Sequence, residues 1–149
     1  MQSSVSPIVF FAALTGILAL VAIAVGVRTR PAKMSGLGLA AALLPALLML
    51  VLFYSLAFHM HRSLGSWPNS IGERGFPAAL IAHGSVALHY FGGLLLTSIF
   101  AWPVAFVVCA LSPKWRIYVY YLGMYALACL VCFGAMLLAP AQFLNWWWD

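Results

Sequence analysis

Apolar residues in this chain come in long blocks rather than in the alternating or one-sided patterns of soluble strands and helices. Ile8–Val27 carries no charge, Leu37–Phe58 carries none, and a third apolar run extends from Pro77 to Leu111. Ile117–Pro140 is the fourth. Twenty residues of helix rise about 30 Å, the thickness of a hydrocarbon core. The third run would rise about 52 Å as one helix, too far for a perpendicular crossing. Its first part, Pro77–Ala87, is therefore expected to be amphipathic or extramembrane, leading into a span at His89–Leu111. The pattern predicts an all-α polytopic protein: four transmembrane helices in an up-down bundle, at about 8–27, 37–58, 89–111 and 117–140. Residues 1–149 form one transmembrane domain, with an ordered loop at 59–88. Pro45 and Pro103 fall inside spans, where each removes a backbone hydrogen bond and bends the helix; neighbouring helices make this tolerable in membranes.

Composition agrees and sharpens the picture. Of 149 residues, 66% are hydrophobic and 6% charged, against about 25% charged in soluble domains. A domain of this size buries only about 70% of its unfolded surface, so lipid must solvate much of the rest. The net charge of +5 is no nucleic-acid signature, because the cations are few and form no phosphate-tracking stripe. Arg28, Arg30, Lys33, Lys114 and Arg116 lie in two short links, and Arg62 and Arg74 lie in the third. The positive-inside rule then places the first two links in the cytoplasm and both termini outside. The basic residues follow the first apolar block instead of preceding it, the reverse of a cleaved signal peptide, so the first span is expected to stay.

Candidate chemistry collects between residues 59 and 89. All four histidines (His59, His61, His83, His89), the pair Glu73-Arg74 and Trp67 stand there, among the turn residues Gly65, Pro68, Asn69, Gly72, Gly75 and Pro77. Imidazoles on facing helices are how bundles hold haem iron, and they also suit other transition metals. His59 and His89, nearest the expected span boundaries, are the first candidates for a shared site, with His61 and His83 next. The competing reading is interfacial histidines bonded to water, headgroups or backbone. Trp67, Glu73 and Arg74 are candidates for binding a partner at the loop, although a solvated loop pair explains Glu73-Arg74 as well.

Three cysteines lie within apolar blocks. Cys129-x-x-Cys132 is similar to the CxxC of the four-span vitamin K epoxide reductase family. The second cysteine pair of that family is missing here, and the thiols read as small buried hydrophobes. Spans without a central acid or base also depart from small multidrug exporters and from most secondary transporters. The four-span membrane glutathione transferases have Arg- and Glu-bearing helix motifs that this chain lacks. Leu64-Gly65-Ser66-Trp67-Pro68, with Pro77 and a histidine-bearing apolar run after it, resembles the LGxWP loop of small multi-pass bacterial membrane proteins. That resemblance covers about thirty residues and implies a bacterial inner-membrane protein, with no particular activity.

Two functional classes follow. One is a non-enzymatic membrane subunit, in a larger complex or a homo-oligomer, in contact with lipid and other membrane proteins. The other is a redox or cofactor-binding protein with haem or metal on the outer-face histidines. A small transporter ranks third. Recurring small residues at Gly36/Ala40, Gly92-Gly93, Gly123, Ala126 and Gly134-Ala135 favour close helix packing.

Overall fold

The computed structural model describes the backbone of residues 7–67 and 75–148, and side chains from Thr15 onward within them. Glu73 and Arg74 lie outside the described residues. There are five α-helices and no strand among the described residues: α1 (Pro7–Arg28), α2 (Gly36–Leu64), α3 (Ala78–Leu111), α4 (Tyr118–Met136) and α5 (Ala141–Trp148). A short 3-10 turn, Pro113–Trp115, precedes α4.

The helix boundaries follow from identifiable signals. Ser35 caps α2, its Oγ accepting from the Gly38 amide at 3.2 Å. The helix then runs past Phe58 to Leu64, because His59–Leu64 contains no breaker. It stops at Gly65, whose φ of +68° is left-handed and whose amide still reaches the His61 carbonyl at 3.0 Å, the usual glycine C-cap. Pro77 starts α3, its carbonyl accepting from the Leu80 and Ile81 amides. From there α3 is continuous for 34 residues, about 51 Å. The expected loop over 59–88 is thus mostly helix: α2 claims six of its residues at one end and α3 claims eleven at the other. Histidine is no helix breaker, so the histidine-bearing segment continues both helices. At the carboxyl end α4 stops at Met136, and after a tight turn Pro140 accepts from the Leu144 amide at 3.0 Å to start α5.

Among the described residues, three helices are long and apolar enough to cross a membrane: α2, α3 and α4. A shorter apolar stretch, Thr15–Arg28, belongs to α1. Large apolar side chains face outward along the long helices, including Phe58, Phe100 and Val131, each about two-thirds exposed. Water would penalise such a surface, at about 25 cal/mol per Å², and lipid would not. Length and composition together support an integral membrane protein.

The chain forms two compact units, Met1–Leu44 with Leu96–Cys129 and Pro45–Leu95 with Leu130–Asp149. In the first, α1 and α4 meet through small residues. Ala19, Ala22 and Gly26 recur along α1 and Val119, Gly123 and Ala126 along α4, all buried. A Cβ on Gly123 would stand 2.7 Å from the Ala22 carbonyl oxygen. This is the close approach that small-residue spacing permits. Trp102 and Phe106 stack on each other at 5.8 Å in the same core. The Trp102 indole N–H, which would otherwise be stranded, donates to the Leu122 carbonyl at 3.1 Å. The second unit is aromatic at its centre. Phe53 is fully buried and meets Phe143 and Trp147 edge-on at 5.0 and 4.9 Å.

Candidate functional site

The second unit brings the polar end of α2 against the start of α3. His59 lies five positions before Leu64 and His83 five after Ala78. Each is therefore about 7.5 Å in from its helix end, and antiparallel packing sets the two at one depth. Their Nδ1 atoms are 2.8 Å apart, both rings half-buried. One turn deeper on α2, Ser55 Oγ sits 3.2 Å from His83 Nε2 and donates to the Leu52 carbonyl at 3.0 Å.

Proton counting orients this chain of contacts. A hydroxyl has one proton, and Ser55 commits it to Leu52. Ser55 Oγ therefore accepts from His83 Nε2–H. In neutral His83 that leaves Nδ1 bare, so the donor across the 2.8 Å contact is His59 Nδ1–H. The pair keeps this hydrogen bond with zero or one extra proton, because a cationic His59 still donates. Two extra protons would oppose N–H to N–H. The inner end is a backbone carbonyl within α2, so the relay terminates instead of conducting.

His89 does not join this pair. It lies six positions beyond His83, about 240° around the helix, is exposed, and rests edge-on against Tyr90 at 5.6 Å. A His59–His89 pair was the expectation from span boundaries near 58 and 89. Because α3 starts at Ala78, it is His83 that reaches the depth of His59. His61 turns outward, as a residue two positions and about 200° around the helix from His59 must, and stacks on Trp67 at 4.7 Å. Trp67 also meets Phe143 of α5 at 5.8 Å. The end of the second unit is thus layered: the imidazole pair on α2 and α3, and the His61–Trp67 stack resting on α5.

Metal chemistry can be tested on these distances. Two imidazole nitrogens on one tetrahedral ion stand about 3.4 Å apart at ordinary bond lengths of 2.0–2.1 Å. Axial ligands across a haem iron stand roughly twice one bond length apart, about 4 Å. The observed 2.8 Å fits a direct hydrogen bond and, of the metal geometries, only a cis pair at roughly 90°. No group of three or more His, Cys, Asp or Glu side chains able to hold a metal occurs among the described residues.

Two participants were absent from the sequence reading. Ser55 was findable, since it stands four residues before His59 and so on the same helix face. Helix α5 carried its own signal in Phe143 and Trp147, an i, i+4 apolar pair after Pro140. Both rings are buried. No protein-family model, curated protein or solved structure matches the chain.

Proposed function

We propose that the chain is an up-down, four-span protein of a bacterial inner membrane that acts as a non-enzymatic subunit, in a larger membrane complex or as a small homo-oligomer. In this reading α1, about 33 Å long from its 22 residues, is the fourth crossing. The basic links face the cytoplasm and both termini lie outside. The carrying observation is the outward-facing apolar surface of α2, α3 and α4. It extends along their length, and no charged side chain interrupts the middle of any of them. Such helices offer lipid or another helix a surface and offer a polar solute no path. The expected site of partner contact is the outer end built from Trp67, His61 and α5.

Native mass spectrometry of the protein released from lipid nanodiscs tests this. A defined oligomer, or a fixed stoichiometry with one other membrane protein, is expected. A monomer carrying a chromophore or metal would overturn it.

The 2.8 Å imidazole contact favours one second reading, a redox or cofactor site centred on His59 and His83. It would bind a transition metal through a cis imidazole pair. Haem would require the rings to separate by more than 1 Å, from 2.8 Å to about 4 Å. Metal analysis with a visible absorption spectrum of the purified protein separates the readings. Stoichiometric metal lost in a His83→Ala variant would establish the second.

A further inference from the structure

The two basic links, at 28–35 and 112–117, are separated by 76 residues of sequence, and the first unit ties them together. The Ser35 amide donates to the Tyr121 hydroxyl at 2.8 Å, and the Tyr120 hydroxyl donates to Met34 Sδ at 3.4 Å. The Tyr121 ring lies on the bare backbone of Gly38, where a Cβ would come within 2.8 Å of it. Behind them, Gly26 and Gly123 bring α1 and α4 into backbone contact. Two tyrosines on α4 therefore hold the first link beside the second.

This end carries Arg28, Arg30, Lys33, Lys114 and Arg116, five of the chain's seven cations, and all five are exposed. The sequence holds only two acidic residues, Glu73 and Asp149, and neither falls in either link. The two links therefore carry five basic residues and no carboxylate side chain within their own sequence. Between and beside them Trp115 is 45% exposed and Tyr118 55%, rings that settle at headgroup depth. Cations and amphipathic rings together, at the end of apolar helices, suit a phosphate-bearing headgroup. Arginine offers it a paired set of donors and lysine a point charge.

We propose that the joined links 28–35 and 112–117 form a binding surface for anionic phospholipid headgroups of the adjoining leaflet. The proposal rests on the membrane reading above. Zwitterionic headgroups carry the same phosphate with a compensating cation, and the surface discriminates against them by charge. Each basic residue near an anionic surface contributes roughly a fivefold preference, from about 1 kcal/mol apiece. The preference weakens as salt shortens the screening length to about 10 Å near 0.1 M.

The full chain is reconstituted into vesicles of phosphatidylcholine alone or with one part in ten phosphatidylglycerol. Flotation after a carbonate wash reports membrane integration. Lipid retained through detergent extraction is then quantified by headgroup. The expected result is integration in both vesicles, with the ratio of phosphatidylglycerol to phosphatidylcholine in the retained lipid at least about tenfold above the input ratio. The triple variant Lys33→Gln, Lys114→Gln, Arg116→Gln should lose most of that enrichment while still floating. Arg62→Gln, outside both links, should keep it. Retained lipid at the input ratio, or equal enrichment in the triple variant, overturns the proposal while leaving the membrane reading intact. Failure to float from either vesicle overturns the membrane reading and this inference with it. Loss of enrichment to inorganic phosphate at matched ionic strength would assign the surface to free phosphate. Binding of soluble polyglutamate, lost in the triple variant while lipid enrichment persists, would assign it to an acidic protein. Either result overturns the lipid proposal.

Discussion

Replacing Gly123 by alanine tests the packing of the first unit at its tightest point. The added Cβ would lie 2.7 Å from the Ala22 carbonyl oxygen, 3.3 Å from the Ala22 carbonyl carbon and 3.3 Å from the Gly26 Cα. All three neighbours are backbone atoms of α1, so no rotamer change relieves the clash. The helices must part by about 0.8 Å to restore an ordinary contact of about 3.5 Å. A gap of 0.5–1 Å forfeits a quarter to a half of each dispersion contact, and each contact is worth about 0.1–0.2 kcal/mol. Some twenty such pairs across the crossing would lose about 1 kcal/mol, at the lower edge of the 1–3 kcal/mol typical of overpacking. Alanine meanwhile gains up to about 1 kcal/mol in helix propensity, which masks part of the loss.

Two controls remove that mask. Gly134 and Gly16 have nothing within 4 Å of an added Cβ, so alanine there keeps the propensity gain alone. Gly26 is intermediate, with its nearest neighbours at 3.3 and 3.4 Å. Unfolding of the reconstituted protein should therefore rank Gly123→Ala least stable, Gly26→Ala next, and Gly16→Ala and Gly134→Ala at or above the starting protein. The propensity gain is common to both, so the spread between Gly123→Ala and Gly134→Ala should equal the overpacking cost, about 1 kcal/mol, roughly a fivefold change in the unfolding constant. Equal stability of those two variants would refute the close approach of α1 and α4.

In a cysteine-free background, impermeant thiol reagent added from outside should label a cysteine at position 66 and spare one at position 32; the reverse pattern refutes the proposed orientation. Replacing Cys129 and Cys132 together by alanine should cost no more than about 1–2 kcal/mol and leave assembly unchanged, whereas loss of assembly at normal expression would give these thiols a role. Phe143→Ala should undock α5, because eight residues are too few to hold a helix alone and Phe143 is fully buried against Phe53. Amide exchange over 141–148 should rise sharply, and unchanged protection would show that α5 is held otherwise.

How much of this was legible depended on which physics each segment obeys. Insertion into lipid demands long apolar runs, and such runs are visible without any tertiary information, so α2, α3 and α4 were recognisable from composition alone. Their ends were not, because hydropathy falls at His59 while helical hydrogen bonding persists to Gly65. The polar stretch 59–64 looked like a loop only while polarity was allowed to stand for conformation. Gly65 and Pro77 were the true punctuation, and both were in view. The expected His59–His89 pairing rested on the same misplaced helix ends, since shifting both ends makes His83 the imidazole at the depth of His59. The Tyr121–Ser35 and Tyr120–Met34 contacts join residues 86 positions apart. No local pattern announces such pairs.

The imidazole pair, like the Ser98–Tyr125 hydroxyl pair, joins side chains on two helices instead of satisfying a lone group on the backbone, and for the imidazoles that difference can be measured. Thr29, Tyr54 and Trp102 each donate to a backbone carbonyl, the economical way to satisfy a lone polar group where water is scarce. His59 and His83 instead satisfy each other, on two helices, at a place where two leucines would insert equally well. Removing one partner strands the other, at a cost of about 1–3 kcal/mol for an unsatisfied half-buried group. Replacing both by apolar residues of similar shape is near neutral or stabilising. A double-mutant cycle of His59→Leu and His83→Leu should therefore show each single variant destabilised and the double variant at least as stable as the starting protein. If stability is indeed restored in the double variant but oligomer or metal is lost, the pair serves that assembly or ligand rather than the fold. Additive destabilisation in the double variant would mean that the rings do not bond to each other at all.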